Sequence, residues 1–419
     1  MRSISAGVRV AGVLCVVAIA GACSETLDAS AGCPDLCASQ NGLIQTITLD
    51  PVVLDTTLSS LTGQGTEATL FLANRGDTID SRAVIRFDSI PDRYTPNAGD
   101  TASLPVTTVD SARLRFNIDT AGAKLPGPVT IDAYDVNSDA PDSLISAVVA
   151  LFTPDRLIAS KTYDVADLKD SVFFPISGPV IVAHAGKPLR IGLRARAAGS
   201  VQFRIFSVQS GVPEQLRYRV SPDTSVKAIV LAPFSKTPTA QAQIASSLSD
   251  YTVLVKGTPA PPPGTLTIGG LPARRVYMRF VLPSFVVDTA QIVRATLLLT
   301  QFPNRTLDPR DTIRVVTNVS LAVKTVTDLT RASQIITVGS ADTVKLTPGD
   351  SGVKELEVAP VISLWRSQKV DTTPRALVLT TTTDGQLALE ARFFSIEAAP
   401  ALRPRLRISY STRKSTGLP

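Results

Sequence analysis

The sequence predicts an all-β protein with two tandem antiparallel β-sandwich domains, jelly-roll-like in arrangement, after a signal peptide and a short tether. Short runs alternate apolar and polar residues and are separated by Pro, Gly and Asp, which is typical of strands and turns. Long helical periodicity is absent. One strand pattern occurs twice, at Arg82–Phe87 and Arg275–Phe280. With 419 residues, 44% of them hydrophobic, the chain is long enough to form two cores.

The repeated strand has one apolar face and one arginine-bearing face. Side chains alternate across a strand, so one face carries apolar residues in both copies. These apolar residues are Ala83, Ile85 and Phe87, then Val276, Met278 and Phe280. The opposite face carries Arg82, Arg86, Arg275 and Arg279. We expect the arginines to form a solvated outer face with cross-strand charge pairs; the alternative is a binding face for an anionic polymer.

Further segments repeat in the same order. Val109–Phe116 matches Ile292–Leu299, and Arg204–Val208 matches Arg392–Ile396. The closing segments of the two copies also match. They are Leu216–Ser221 and Pro404–Ser409, and they lie 188 residues apart. Their alternation predicts inward-facing Tyr218, Val220, Leu406 and Ile408, and outward-facing Arg217, Arg219, Arg405 and Arg407.

These matches predict a first repeat at residues 43–222, a second at 223–412 and a tail at 413–419. Ile47–Pro51 opens the first repeat and Ile229–Pro233 opens the second. The proline run Thr258–Gly264 is interpreted as a stiff loop inserted in the second repeat. A true linker at these prolines is the alternative.

The first 22 residues have the pattern of a targeting segment. Arg2 and Arg9 form a basic start, and Ala11–Ala20 is apolar but too short to span a bilayer. The small residues before Cys23 resemble the lipobox of bacterial lipoproteins, although Ala20 stands where that family most often has Leu. The resemblance implies acylation of Cys23 and an outer-membrane location facing periplasm or exterior. The segment 23–42 is rich in small and polar residues and poor in β-branched ones, so we expect a flexible tether there. Ordinary secretory cleavage is the alternative.

Cys33 and Cys37 lie within the tether and are candidates for a local disulfide in an oxidising compartment. A zinc half-site is the alternative, but it lacks further ligands. Cys15 would leave with the signal peptide, and His184 is the only histidine in the chain.

The sequence predicts no catalytic residues, no metal and no cofactor. The net charge of +6 falls to +4 without the leader, which is too mild to indicate nucleic-acid binding. The acid-rich span Asp132–Asp142 could ligate calcium, but its composition is also that of turns. Glycoside cleavage needs two facing carboxylates. No spacing singles out a pair among the candidates Asp80, Asp88, Asp132 and Asp135.

The second repeat resembles a known family, and the first resembles it less closely because it lacks the Trp and the Pro-Arg-Leu ending. An Arg-x-x-x-Arg-Phe strand, a segment ending at Trp365 and the closing Pro404–Tyr410 strand are similar to disaggregatase-related, DNRLRE-type β-sandwiches. The resemblance implies a carbohydrate-binding-like module on secreted or cell-surface proteins. We expect Trp365 to fill the core; stacking on a sugar ring is the alternative.

We therefore expect a non-catalytic, membrane-anchored envelope lipoprotein. It would bind extracellular polysaccharide or a surface protein through its sandwiches. A polysaccharide-degrading enzyme and a purely structural spacer are the alternatives.

Overall fold

The structure is a computed structural model that describes residues 44–59, 64–97, 101–236, 248–320, 335–336, 343–367 and 375–412. The predicted signal peptide at 1–22, the tether at 23–42 and the tail at 413–419 lie outside these ranges. The predictions for Cys23, Cys33 and Cys37 therefore lie outside them too. Within the described ranges, no helix is both long enough and apolar enough to cross a membrane.

Antiparallel strands make up most of the regular secondary structure of the described chain. In chain order they are β1 Gln45–Leu49, β2 Val52–Ser59, β3 Thr69–Asn74, β4 Asp80–Phe87, β5 Arg93–Tyr94, β6 Leu104–Pro105, β7 Ser111–Lys124, β8 Val129–Asp135, β9 Leu157–Tyr163, β10 Ser171–Ile176, β11 Leu189–Arg196, β12 Val201–Phe206, β13 Gln215–Arg219, β14 Ile229–Leu231, β15 Asp250–Lys256, β16 Thr265–Gly269, β17 Arg274–Phe280, β18 Ala290–Phe302, β19 Ile313–Ser320, β20 Ile335–Ile336, β21 Val344–Leu346, β22 Gly352–Glu357, β23 Arg375–Thr381, β24 Glu390–Phe394 and β25 Arg405–Thr412. Four short α-helices are described: α1 Ile145–Val149, α2 Gly178–Ala183, α3 Ser284–Asp288 and α4 Ala359–Ser367.

The first sandwich has the strand order β14-β13-β7-β12-β3-β4-β11-β8-β9, with β10 also paired to β7 and β15 to β4. Alternate side chains of these strands point inward and meet in one hydrophobic core. Phe87, Phe116, Phe174, Phe203 and Tyr218 are among its largest fully buried side chains. Burial of these rings from many strands holds the two layers together.

The second sandwich repeats this plan. Its order is β1-β25-β18-β24-β16-β17-β23-β19-β20, with β2 paired to β17, β22 to β18 and β21 to β19. β17 holds the place of β4, so Phe280 corresponds to Phe87, and each ring is buried in its own core. Trp365 is buried in the second core, where its ring centroid lies 5.4 Å from that of Phe280. The all-β sandwich class and the inward faces of the repeated strands are confirmed.

The strand pair that closes each sandwich comes from an unexpected part of the chain. β1 and β2 do not pair with the first sandwich; they pair with β25 and β17 of the second. β14 and β15, from the start of the predicted second repeat, pair with β13 and β4 of the first. We call β1–β2 and β14–β15 the closing pairs.

The predicted boundary between residues 222 and 223 therefore does not separate the strands of the two sandwiches. The first sandwich ends with β15, and the second begins with β16 after the proline run. The N-terminal closing pair then completes the second sandwich. The physical reason is that the segments Ile47–Pro51 and Ile229–Pro233 share one short Ile-x-Leu-x-Pro pattern. Their sequence does not specify which one they close.

The two sandwiches also contact one another within one compact unit, Gln45–Ser411. Phe71 and Ile79 of the first sandwich pack with Leu271 and Leu307 of the second. At the edge of this apolar contact, Asp308 accepts ion pairs from Arg75 and Lys124. The contact combines a small apolar centre with a charged rim, which is typical of interfaces between domains.

Candidate functional site

The arginines of the repeated strand face away from the core, but they are not the solvated face that the sequence predicts. Arg82 is only 8% exposed; it binds Asp80 at 2.7 Å and stacks over Phe152 at 4.7 Å. Residues 136–152, including α1, cover this side of β4, and Val84 packs there beside Tyr251. An apolar layer therefore covers the outer face of β4. It buries Val84, which lies on this face between the arginines, and burial of apolar surface is favourable.

A buried carboxylate completes this covered layer. Asp142 is 4% exposed and accepts hydrogen bonds from Arg190 at 2.8 Å and from the Tyr251 hydroxyl at 2.5 Å. It also forms an ion pair with Arg86, which contacts Asp88 as well. Buried charges with such complete pairing are structural. These arginines are therefore not available to bind a polymer.

Two further acids of the span, Asp132 and Asp135, are likewise occupied, whereas Asp139 is exposed. Burial raises the pKa of Asp132, but hydrogen bonds from Arg196 and Ser160 lower it below the ordinary value. Asp135 binds His184 at 3.0 Å, and this contact raises the pKa of the imidazole. Among the described residues, no group of three or more His, Cys, Asp or Glu side chains could hold a metal ion.

A different set of arginines lies open on the first sandwich. Arg113 and Arg115 point outward from β7, and Arg217 and Arg219 point outward from the neighbouring β13; we call these four residues the arginine face. Arg217 lies directly opposite Arg113 in the strand register. Like charges in this position repel, so the pairing costs stability.

Little in the described ranges neutralises the arginine face. No ion pair joins Arg113, Arg115 or Arg217 to an acid there. Arg115 donates to the Ser171 hydroxyl at 3.1 Å. Arg219 donates to the Asp223 carbonyl at 2.8 Å and helps to lower the pKa of the Asp223 carboxyl, after hydrogen bonds from Ser225. The guanidinium groups of the other three keep donors free for an anion.

The arginine face also has a concave centre and an aromatic edge. A cavity of about 290 Å³ is lined by Ser111, Ala112, Arg113, Arg217, Tyr218 and Arg219. Beside it, Phe173 of β10 is 44% exposed and lies under Arg113 at 4.6 Å. Lys161 approaches the carbonyl of Phe173 at 3.5 Å and adds a further cation to this edge. Cations around a small cavity with an apolar ring suit an anionic ligand that has a ring face.

The second sandwich provides an internal comparison. Arg405 and Arg407 occupy the positions of Arg217 and Arg219, but β18 has Thr296 and Leu298 where β7 has its two arginines. The outer strand differs as well. Where β10 places Phe173 opposite Arg115, β22 places Glu355 opposite Leu298.

Two glutamates, Glu355 and Glu357, neutralise part of the positive charge at this place on the second sandwich. Arg407 pairs with Glu355 at 2.5 Å, and Arg294 pairs with Glu357 at 3.2 Å. The same fold thus exists with a balanced surface at this position. The concentration of unpaired arginines is therefore particular to the first sandwich and is not required by the architecture.

Part of this site is predicted by the sequence. Alternation places Arg217 and Arg219 outward, which the structure confirms. It also predicts a solvated face at Arg82 and Arg86, and these two residues are covered instead. The alternation of Arg113 and Arg115 along β7 was a usable signal. The pairing of β7 with β13 was not readable, because partner and register depend on tertiary packing.

No protein-family model matches the sequence, and no curated protein matches it. Among solved structures, a Parabacteroides distasonis ATCC 8503 protein classed as secreted aligns at 9% identity and a TM-score of 0.24, covering 87% of this chain and 99% of that one. Allantoicase aligns at 9% identity and a TM-score of 0.16, covering 85% and 93%. The C-terminal domain of the Streptococcus pyogenes antigen I/II-family protein AspA aligns at 10% identity and a TM-score of 0.15, covering 89% and 92%. Similarities at these scores carry no argument about the function of this chain.

Proposed function

We propose that this protein is a non-catalytic component of the bacterial cell envelope that binds an anionic extracellular polysaccharide through the arginine face of its first sandwich. The observation that carries the proposal is the pairing of Arg217 opposite Arg113 without a neutralising acid. Such repulsion is retained at the expense of stability, and an anionic ligand relieves it.

The geometry favours a carboxylated or sulfated sugar. Guanidinium groups bind carboxylate and sulfate oxygens through paired N–H donors, and these hydrogen bonds are among the strongest available at a surface. Phe173 offers an apolar ring at the edge of the cavity for the face of a sugar. The cavity of about 290 Å³ accommodates a small group, so we expect contact with one or two residues of a longer polymer.

The anchoring of the protein rests on the sequence. The resemblance of the segment before Cys23 to a lipobox supports attachment to the outer membrane by acyl chains. The order of strand motifs supports membership of the disaggregatase-related sandwiches. We include both in the proposal: a lipid-anchored protein that holds its arginine face toward a charged polymer. Mass spectrometry of the mature N-terminus tests the lipid.

The central test compares two matched double variants on a glycan array. Arg113→Gln with Arg217→Gln removes the opposed pair; Arg405→Gln with Arg407→Gln alters the corresponding place in the second sandwich. Carboxylated, sulfated and neutral polysaccharides serve as probes. We expect the first variant to lose at least about tenfold in affinity for an anionic polymer, because a hydrogen bond to a charged group contributes about 1.5–3 kcal/mol.

The control variant should bind like the wild type, and binding should weaken as salt is raised from about 0.05 to 0.5 M. Equal binding by the two double variants, or preference for neutral glycans, would overturn the proposal. Binding to an envelope protein but to no glycan would instead assign the arginine face to a protein partner.

A further inference from the structure

Three carboxyl groups meet where β15 enters the first sandwich. Asp250 begins β15, Glu214 immediately precedes β13, and Glu67 lies just before β3. Asp250 and Glu214 are fully buried, at 0% exposure. Both Glu214 carboxyl oxygens and Asp250 Oδ1 lack a hydrogen-bond donor among the described groups. Buried ionised carboxylates without partners are costly, so these groups need protons.

The groups that face these acids supply no compensating charge. Asp250 Oδ2 accepts a hydrogen bond from the Val208 amide at 2.7 Å, and on β4 it lies opposite the apolar Ile85. Glu67 accepts from the Gly65 amide at 2.6 Å. In the part of the chain that the structure describes, none of the three forms an ion pair with Arg, Lys or His.

Burial therefore raises the pKa of all three carboxyl groups. It raises the pKa of Asp250 to about 6 and that of Glu67 to about 7. The pKa of Glu214 also lies well above its ordinary value, through burial and the nearby charge of Asp250. Two carboxyl groups in contact form a hydrogen bond only when one of them carries a proton.

The second sandwich repeats part of this arrangement on its own closing pair, where Asp55 is half-buried. Asp55 of β2 lies opposite Met278 of β17, as Asp250 lies opposite Ile85 of β4. Asp55 Oδ2 accepts from the Ile396 amide at 2.8 Å, and Ile396 corresponds to Val208 in the repeat. Burial, together with the charge of Glu397, raises the pKa of Asp55 to about 6 despite this amide hydrogen bond.

We propose that β15 and β2 are acid-stabilised latches: a proton on the buried Asp250, or on the half-buried Asp55, favours the closed strand, and loss of that proton favours local detachment of the strand. Asp250 and Asp55 each lie in a closing pair, at corresponding positions in the strand register, and each accepts a hydrogen bond from the corresponding turn of its own sandwich. The acid therefore occurs at this position in both sandwiches.

The direction of the pH effect follows from proton uptake. A detached strand exposes its carboxyl group to water, where the group ionises near its ordinary pKa of 3.8. Between about pH 4 and pH 6 the closed strand holds a proton that the detached strand has lost, so closing is favoured by acid and weakened as pH rises. A shift of about two pKa units corresponds to about 100-fold in the opening equilibrium.

Hydrogen exchange of the full chain measures this opening strand by strand. After correction for the intrinsic pH dependence of exchange, we expect protection of the β15 and β2 amides to fall between pH 4.5 and pH 7.5. The decrease should be larger in β15, which faces two further acids. Protection of β11, which is paired on both sides within the first sandwich, should not fall.

Two variants serve as controls for each other. Asp250→Asn should reduce the pH dependence of β15 to the part that Glu214 and Glu67 contribute, and it should leave that of β2 intact. Asp55→Asn should reduce the pH dependence of β2 and leave that of β15 intact. If either variant does not fold, the other and the wild-type pH series still decide the question. Protection that is independent of pH in both strands, or that falls equally in β11, overturns the proposal.

Discussion

The contacts of individual residues determine which arginine side chains are accessible to a ligand. Arg82 and Arg217 both point outward from strands whose alternate residues are buried in the core. The first is covered by Phe152, whereas the second faces solvent beside Arg113. Alternation predicts only the side of the sheet on which a residue lies. Whether another segment covers that side depends on contacts far along the chain.

The opposed arginines predict a stability gain on mutation. Arg217→Gln removes a like-charge pair directly across two strands, so we expect the free energy of unfolding to rise by about 0.2–1 kcal/mol. Urea unfolding at low and high salt measures the gain, which should shrink as salt screens the repulsion.

Arg405→Gln is the matched control for this measurement, because Thr296 stands at the corresponding place on β18. It should give no comparable gain. A loss of stability in Arg217→Gln that exceeds the loss in the control would show that Arg217 is held by favourable contacts.

At the scale of elements, the sequence predicts the strands better than their partners. The two copies of the arginine strand and the last strands of the two copies, β13 and β25, follow from alternation and repetition. The sequence also places Trp365 in the core, which the structure confirms, but it does not predict that the segment around Trp365 is the helix α4. The partner of β1 does not follow from the sequence, because β1 and β14 carry nearly the same pattern. Connection length and tertiary fit, which are not readable from a short motif, select between the two sandwiches.

Removal of the N-terminal closing pair should therefore damage the distant sandwich. A chain that lacks residues 45–59 leaves the edges of β25 and β17 unpaired, so we expect protection against hydrogen exchange to fall throughout β16–β25. Strands of the first sandwich should keep most of their protection. A chain that lacks only residues 1–43 is the control and should be unaffected. Loss confined to the first sandwich would contradict the observed pairing.

At the scale of the whole molecule, the two sandwiches are coupled through a small contact around Asp308. Burial raises the pKa of Asp308, but hydrogen bonds and charge from Arg75 and Lys124 outweigh it and leave the pKa below its ordinary value. The ionised carboxylate thus stabilises the fold above the pH range in which free Asp titrates, and the contribution is lost as pH falls.

Asp308→Ala should uncouple the sandwiches. It leaves Arg75, whose side chain is 13% exposed, without its acid, at an expected loss of about 1–3 kcal/mol. Calorimetry should show the transitions of the two sandwiches moving apart. Asp311→Ala is the control: it also contacts Lys124, at 2.8 Å, but its side chain is 41% exposed, and we expect less than about 1 kcal/mol. Equal losses of stability in the two variants would show that the sandwiches are not coupled through Asp308.

The N-terminal closing pair belongs to the second sandwich, so the growing chain makes this pair long before it makes the strands that bind it. Synthesis produces residues 45–59 first, yet their partner β25 is made nearly last. The first sandwich receives its own pair, β14–β15, directly after β13 has been made. Residues 45–59 therefore have no final partner until nearly the whole chain has been synthesised, so the second sandwich can be completed only after the first.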